Sequence, residues 1–94
     1  MAWTVDYKKK CRKQLDAMPK TVKDAMFFLV REMKELGPLR YNWQNFSKLK
    51  GLEGHYHCHL KQGKPTYVAC WEVVNKKIQI IEVYYVGTHE KAPY

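Results

Sequence analysis

Three strand-like stretches in the second half of the chain are joined by segments too short to hold a crossover. They are Gly54–Leu60, Thr66–Val74 and Ile78–Val86, separated only by KQGKP and by NKK. A parallel connection needs a dozen or more residues, so strands joined this closely run antiparallel, as a meander. The first stretch, GHYHCHL, alternates strictly. The third is rich in β-branched and aromatic residues, which suits a pleated, half-buried surface.

The first half has a different period. Val22, Met26, Leu29, Met33 and Leu36 recur at helical spacing, and Gly37 followed by Pro38 is a stop signal. Thr21 and Asp24 resemble a capping box at the start of this helix. A shorter helix is expected from about Tyr7 to Ala17, capped by Asp6. Cys11, Leu15 and Met18 share one side of it, the lysines fill the other, and Pro19 ends it. Met1–Tyr7 contains AWTVDY, an alternating stretch that reads as a first strand. Leu39–Gly51 is polar, aromatic and irregular, and reads as a loop. The order β-α-α-β-β-β predicts one α+β domain spanning 1–94. Both helices lie on one face of an antiparallel curved sheet, and the other face is free.

Composition narrows the partners. Lys plus Arg number 17 against 9 Asp plus Glu, a formal net charge of +8 on 94 residues. A field of that sign over so small a surface favours a polyanion: RNA, DNA, a ribosome or an acidic protein. The apolar runs AMFFLV and IQIIEVYYVG are too short to span a bilayer or serve as a secretory core, so no membrane role and a cytosolic setting are expected. The three cysteines, Cys11, Cys58 and Cys70, have no paired spacing and read as buried thiols rather than a disulfide framework.

His55, His57 and His59 are three of the four histidines and occupy alternate positions of one strand. They therefore share a face, while Tyr56, Cys58 and Leu60 share the opposite, core-facing one. Three uses fit the histidine face. A zinc site is one, although Cys58 points away from it and no second ligand pair follows at finger spacing. Acid–base chemistry near neutral pH is another: an imidazole can take the 2′-hydroxyl proton of RNA and an acid can protonate the leaving 5′ oxygen without a metal. A solvated polar face is the third. Among the aromatics, Trp43, Phe46, Tyr67, Trp71, Tyr84, Tyr85 and Tyr94 can stack on splayed bases. Trp71 and Tyr84 are expected to be core or packed between elements. Lys48 and Lys50, just before the sheet, are placed to meet a phosphate.

The element order, with NFSKLKG before the second strand and VGTHEKAPY after the last, resembles the RelE/ParE superfamily of bacterial type II toxins. The resemblance is sharpest from Phe46 to Tyr94. It implies a RelE-like fold, mRNA endoribonuclease activity in most members at the ribosome, no cofactor, and a hetero-oligomer with a cognate antitoxin that charge predicts to be acidic. It gives Lys48 and Lys50 phosphate roles. The chain looks more like the YafQ and YoeB branches than RelE itself, which assigns proton transfer to His89, substrate contact to Tyr94 and a catalytic role to His59, with His57 in support. His55 is expected to be solvent-facing. The arginine RelE carries in its third strand is replaced here by Val68, so Arg40 and Lys91 are candidate phosphate ligands. No acidic residue stands where YafQ keeps one after the strand; Lys61, Gln62 and Gly63 are there instead. The ParE branch shares the fold but inhibits DNA gyrase, and a non-catalytic RNA-binding module is a further alternative.

Overall fold

The structure, a computed structural model, describes residues 2–94; Met1, the start of the expected first strand, lies outside the described residues. Strand β1 (Thr4–Tyr7) leads into helices α1 (Lys9–Asp16) and α2 (Lys20–Leu36). After an irregular segment come β2 (Ser47–Lys48), β3 (His55–Lys61), β4 (Tyr67–Asn75) and β5 (Ile80–Thr88), then a single 3-10 turn, His89–Lys91. The strands form one sheet in the order β1-β5-β4-β3-β2. Among the described residues no helix is long and apolar enough to cross a membrane.

The meander β3-β4-β5 is antiparallel as expected, but the sheet as a whole is mixed, because β1 pairs parallel with β5. Tight turns fixed the directions of β3, β4 and β5. Two helices intervene between β1 and its partner, so no turn length constrained its direction. The segment read as a loop also holds a two-residue strand, β2, in which Ser47 pairs with His57 and Lys48 with Tyr56. Two residues are too few for any periodicity to register.

Both helix starts differ from the expected caps. Asp6 belongs to β1, Lys8 stands at the start of α1, and neither helix has a side-chain cap hydrogen bond. Pro19 precedes α2, and Asp24 is bonded instead to Lys20 one turn earlier, at 2.9 Å. Pro19 occupies the N-cap itself, and its carbonyl accepts from the Val22 and Lys23 amides at 3.0 Å each. The stop at Gly37 is as expected: φ is +93°, a conformation that strains any side chain, and an added Cβ would meet the Trp3 indole nitrogen at 3.0 Å. Leu36, expected on the buried face, is exposed.

The core lies between the helices and one face of the sheet. Val22, Met26, Leu29 and Met33 of α2 and Cys11 of α1 are buried against Cys58, Ala69, Trp71, Ile81, Val83 and Val86. Trp71 is fully buried, and its indole N–H donates to the Pro38 carbonyl at 3.1 Å, so the large ring is satisfied as well as packed.

Glu32, on α2, ties the irregular segment to this layer. Its Oε1 accepts from Arg40 at 3.1 Å, from the Asn42 amide at 2.8 Å and from the Trp43 indole at 3.0 Å. Arg40 is therefore buried in an ion pair rather than presented to a phosphate, which removes it from the candidate RNA ligands. Partial burial alone would raise the Glu32 carboxyl, but the three donors and the Arg40 charge outweigh it and hold the group below its ordinary value. Stability from these bonds is present above the unfolded carboxylate value and is lost as pH falls through the lower folded value. Glu32→Ala leaves the Arg40 guanidinium buried without its acceptor. It should cost about 1–3 kcal/mol, measured by urea denaturation at neutral pH, and the gap to wild type should narrow as pH is taken below the carboxylate range.

Candidate functional site

The face of the sheet away from the helices carries the histidines. In the pairing of β3 with β4, His55, His57 and His59 stand opposite Glu72, Cys70 and Val68. These residues share the outer face, as the alternation of β3 requires. Val68, Cys70 and Tyr85 form a small second core there, with Tyr84 and Ala92 packed against it. This is the floor of the site. Burial first, and the Cys11 thiol second, push the Cys70 thiol up to about 12, so at neutral pH it is an inert apolar group.

Tyr85 reaches this face through an irregularity. Cys70 pairs with Tyr85 but Trp71 pairs with Val83, so Tyr84 is an extra residue in β5. Such a bulge re-aims the side chains that follow. Ile81 and Val83 point to the helices, Tyr85 points to the site, and Val86 returns to the core. The Tyr85 hydroxyl donates to the Thr88 carbonyl at 2.7 Å, bracing the strand end just before His89. The ring lies over Gly87, where a Cβ would approach its hydroxyl to 2.6 Å and Cζ to 2.9 Å.

The chain then turns back over the sheet. The His89 amide donates to the Thr66 carbonyl at 2.8 Å, anchoring the 3-10 turn on the start of β4. Four rings meet as a result. His57 and His59 have centroids 5.9 Å apart, His59 and His89 5.5 Å, His57 and Tyr94 4.8 Å, and His89 and Tyr94 5.9 Å. The residues singled out as catalytic from the sequence are thus brought into one group, although 30 positions separate His59 from His89 in the chain. His89 and Tyr94 are exposed, while His57 and His59 are half-buried. Among the described residues, no three His, Cys, Asp or Glu side chains converge in a way that could hold a metal ion.

Polar neighbours fix the rings. His57 Nδ1 lies 3.1 Å from Ser47 Oγ, and His59 Nδ1 lies 3.0 Å from Gln62 Oε1. Gln62 in turn donates to Asn45 Oδ1 at 3.0 Å. Ser47, Asn45 and Gln62 were not anticipated. Ser47 and Asn45 fall in the segment read as a loop, and Gln62 was noted only as the absence of an acid. Burial lowers the His57 value most; a hydrogen bond to the Ser47 backbone opposes it, and the charges of His59 and His89 lower it further. Burial, with smaller contributions from Cys70 and Tyr85, raises Tyr94, which therefore keeps its proton and can donate it in a hydrogen bond.

His55 departs from expectation. It is half-buried rather than left to solvent: Nε2 lies 3.0 Å from Glu72 Oε2 and Nδ1 lies 3.1 Å from the Tyr84 hydroxyl. The sequence offered no sign of this, because the contact depends on the β3–β4 register and the bulge at Tyr84. Among the candidate cations, Lys48, Lys50 and Lys91 are exposed. Lys91 lines a groove of about 650 Å³ with Lys8, Lys10 and Tyr84. Lys48 pairs with Tyr56, so the pleat directs Ser47 rather than Lys48 to the side of His57.

No protein-family model matches the sequence, and no curated protein matches it. Solved structures do. A mutant of the E. coli toxin RelE in the free state is 22% identical, with a TM-score of 0.76 over 98% of this chain and 88% of that one. The archaeal RelE–RelB complex from Pyrococcus horikoshii OT3 gives 20% identity and 0.70, covering 98% and 100%. The E. coli DinJ–YafQ toxin–antitoxin complex gives 12% and 0.71, covering both chains fully. The fold is therefore RelE-like, as the sequence resemblance implied.

Two outcomes follow from the geometry. In an NMR titration His57 should have its midpoint below the free imidazole value of about 6.5. His89→Ala should move it up, because the His89 charge is one of the causes that lower it. Gly87→Ala should displace Tyr85 and cost about 1–3 kcal/mol of stability by denaturation.

Proposed function

We propose that this chain is the toxin of a bacterial type II toxin–antitoxin pair, acting in the cytoplasm as an endoribonuclease that cuts mRNA on the ribosome without a metal. The observation that carries the reading is the ring group of His57, His59, His89 and Tyr94 on an open sheet face. Cleavage of RNA by its own 2′-hydroxyl needs one group to take a proton and another to give one, both working near neutral pH. The base removes the 2′ proton as O2′ bonds to phosphorus. The P–O5′ bond breaks, and the acid protonates O5′, leaving a 2′,3′-cyclic phosphate. Two imidazoles in contact, His59 and His89, supply that pair. Tyr94, protonated and exposed, can bond a phosphate oxygen or stack on a base. His57 supports both neighbours through its ring contacts.

Binding is served by charge. The net charge of +8 and exposed Lys48, Lys50 and Lys91 suit a phosphate backbone. The same charge suits an acidic antitoxin. RelE and YafQ structures solved with their antitoxins support a partner of that kind, and a hetero-oligomer with it.

The direct experiment is cleavage of translated mRNA by the purified chain. His89→Ala should lower the rate by about 100-fold or more while circular dichroism and melting temperature stay near wild type. His59→Ala should be the next most harmful histidine change. Products should end in 2′,3′-cyclic phosphate. A folded His89→Ala protein that cuts at the wild-type rate would overturn the assignment. Inhibition of gyrase supercoiling with RNA left intact would point to the ParE-like activity instead.

A further inference from the structure

The relay behind His59 has a direction, and that direction sets which nitrogen of the ring carries the proton. Gln62 has one amide oxygen and one NH2 group. The NH2 group donates to Asn45 Oδ1 at 3.0 Å, and the oxygen faces His59 Nδ1 at 3.0 Å. An amide oxygen can only accept, so with the Gln62 amide in this orientation the bond is made by a hydrogen on Nδ1. In a neutral imidazole the lone pair then lies on Nε2.

The three partners come from three different segments, and backbone contacts hold them together. The His59 amide donates to the Gln44 carbonyl at 2.8 Å, which brings the residue before Asn45 against β3. Asn45 has φ +55°, a left-handed conformation that asparagine tolerates better than most residues. Further back, the Glu32 bonds to Arg40, Asn42 and Trp43 hold the same segment to α2. Gln62 belongs to the turn after β3, beside an irregularity in pairing between His59 and Lys61. That irregularity breaks the alternation just where Gln62 turns to meet the ring.

We propose that Asn45 and Gln62 are positioning residues that hold His59 in its Nδ1–H tautomer, so that Nε2 is the base for the 2′-hydroxyl proton. This rests on the endoribonuclease reading and deepens it by assigning directions to the two proton transfers. The 2′ proton passes to His59 Nε2 as O2′ bonds to phosphorus. His89 then supplies the proton to O5′ as the P–O5′ bond breaks. Once protonated, the His59 ring still donates from Nδ1 to Gln62, so the relay favours the cationic form that the transfer creates.

Nitrogen-15 NMR of the full chain, above the imidazole titration range, reads the tautomer directly and needs no activity. The wild type should show Nδ1 protonated and Nε2 free at His59. Gln62→Leu should shift the ring toward the Nε2–H form and lower kcat by about 10–100-fold with little change in KM. Asn45→Gly, which keeps the left-handed backbone and deletes the acceptor, should shift it in the same direction. Asn45→Asp keeps the acceptor and should retain the wild-type tautomer. If the relay ran the other way, with Asn45 donating, aspartate would have no proton to give and the tautomer would change. An Nε2–H wild type that cuts RNA, or loss of the tautomer in Asn45→Asp, overturns the proposal. A wild type with Nδ1–H that leaves translated mRNA intact overturns the endoribonuclease reading and leaves the tautomer assignment standing.

Discussion

Burial of Cys58 under α2 decides which way the rest of the sheet faces. The residue is completely enclosed in the core, and its neighbours on a strand must point the other way. A slip of one residue in β3 would put three imidazoles under the helices and three core side chains in water, at a cost no other contact here offsets. The pairing with β4 carries this choice across the sheet. Ala69 and Trp71 follow Cys58 into the core, while Val68 and Cys70 lie beneath the histidines. The second, smaller core made by Val68, Cys70 and Tyr85 gives the outer face a packed floor. Ala92 of the C-terminal segment rests on it, while the His89 amide bond to Thr66 holds the turn over the sheet.

The irregular segment between α2 and β3 does for one side of the site what the C-terminal turn does for the other. It is pinned at its start by a single carboxylate oxygen of Glu32 and in its middle by Phe46, whose ring stacks on Tyr56 and contacts Trp71. What lies between and beyond these anchors reaches the histidines: Gln44 through its carbonyl, Asn45 through Gln62, and Ser47 directly. A hydrogen bond to a loop orients a ring well only if the loop itself is fixed. The Glu32 bonds and the Phe46 packing meet that condition from the helix side of the sheet.

Regular elements were legible in the sequence because they repeat. The spacing of Val22 to Met33, the Gly37–Pro38 stop and the strict alternation of GHYHCHL each reflect a period that burial imposes over several residues. The antiparallel meander followed from turn length alone. Features that depend on one residue were not legible in the same way. The bulge that turns Tyr85 toward the site adds one residue to β5, and the β2 pairing of Ser47 with His57 involves two; neither leaves a periodic trace. The parallel partner of β1 depends on how two helices pack. The ring group was anticipated for a different reason: a resemblance covering VGTHEKAPY placed His89 and Tyr94 with His59, where spacing could say only that His55, His57 and His59 share a face. That face is not uniform, since His55 is taken up by Glu72 and Tyr84.

The imidazoles of the ring group also act on one another. Burial lowers His57 first, and the neighbouring His59 and His89 charges lower it further, so the unbound site favours a neutral ring there. A neutral ring is what a base must be, but the acid of the pair has to be protonated. On the proposed reading, substrate resolves the conflict. A phosphate drawn in by the net positive charge of the chain places negative charge against the ring group, within the ~8–10 Å over which such charges act at cellular salt. That charge raises the affinity of the nearest imidazole for a proton. His89, the exposed member of the pair, is the ring assigned to hand a proton to O5′. Binding then prepares the acid, and the base is kept ready by bonds already in the fold.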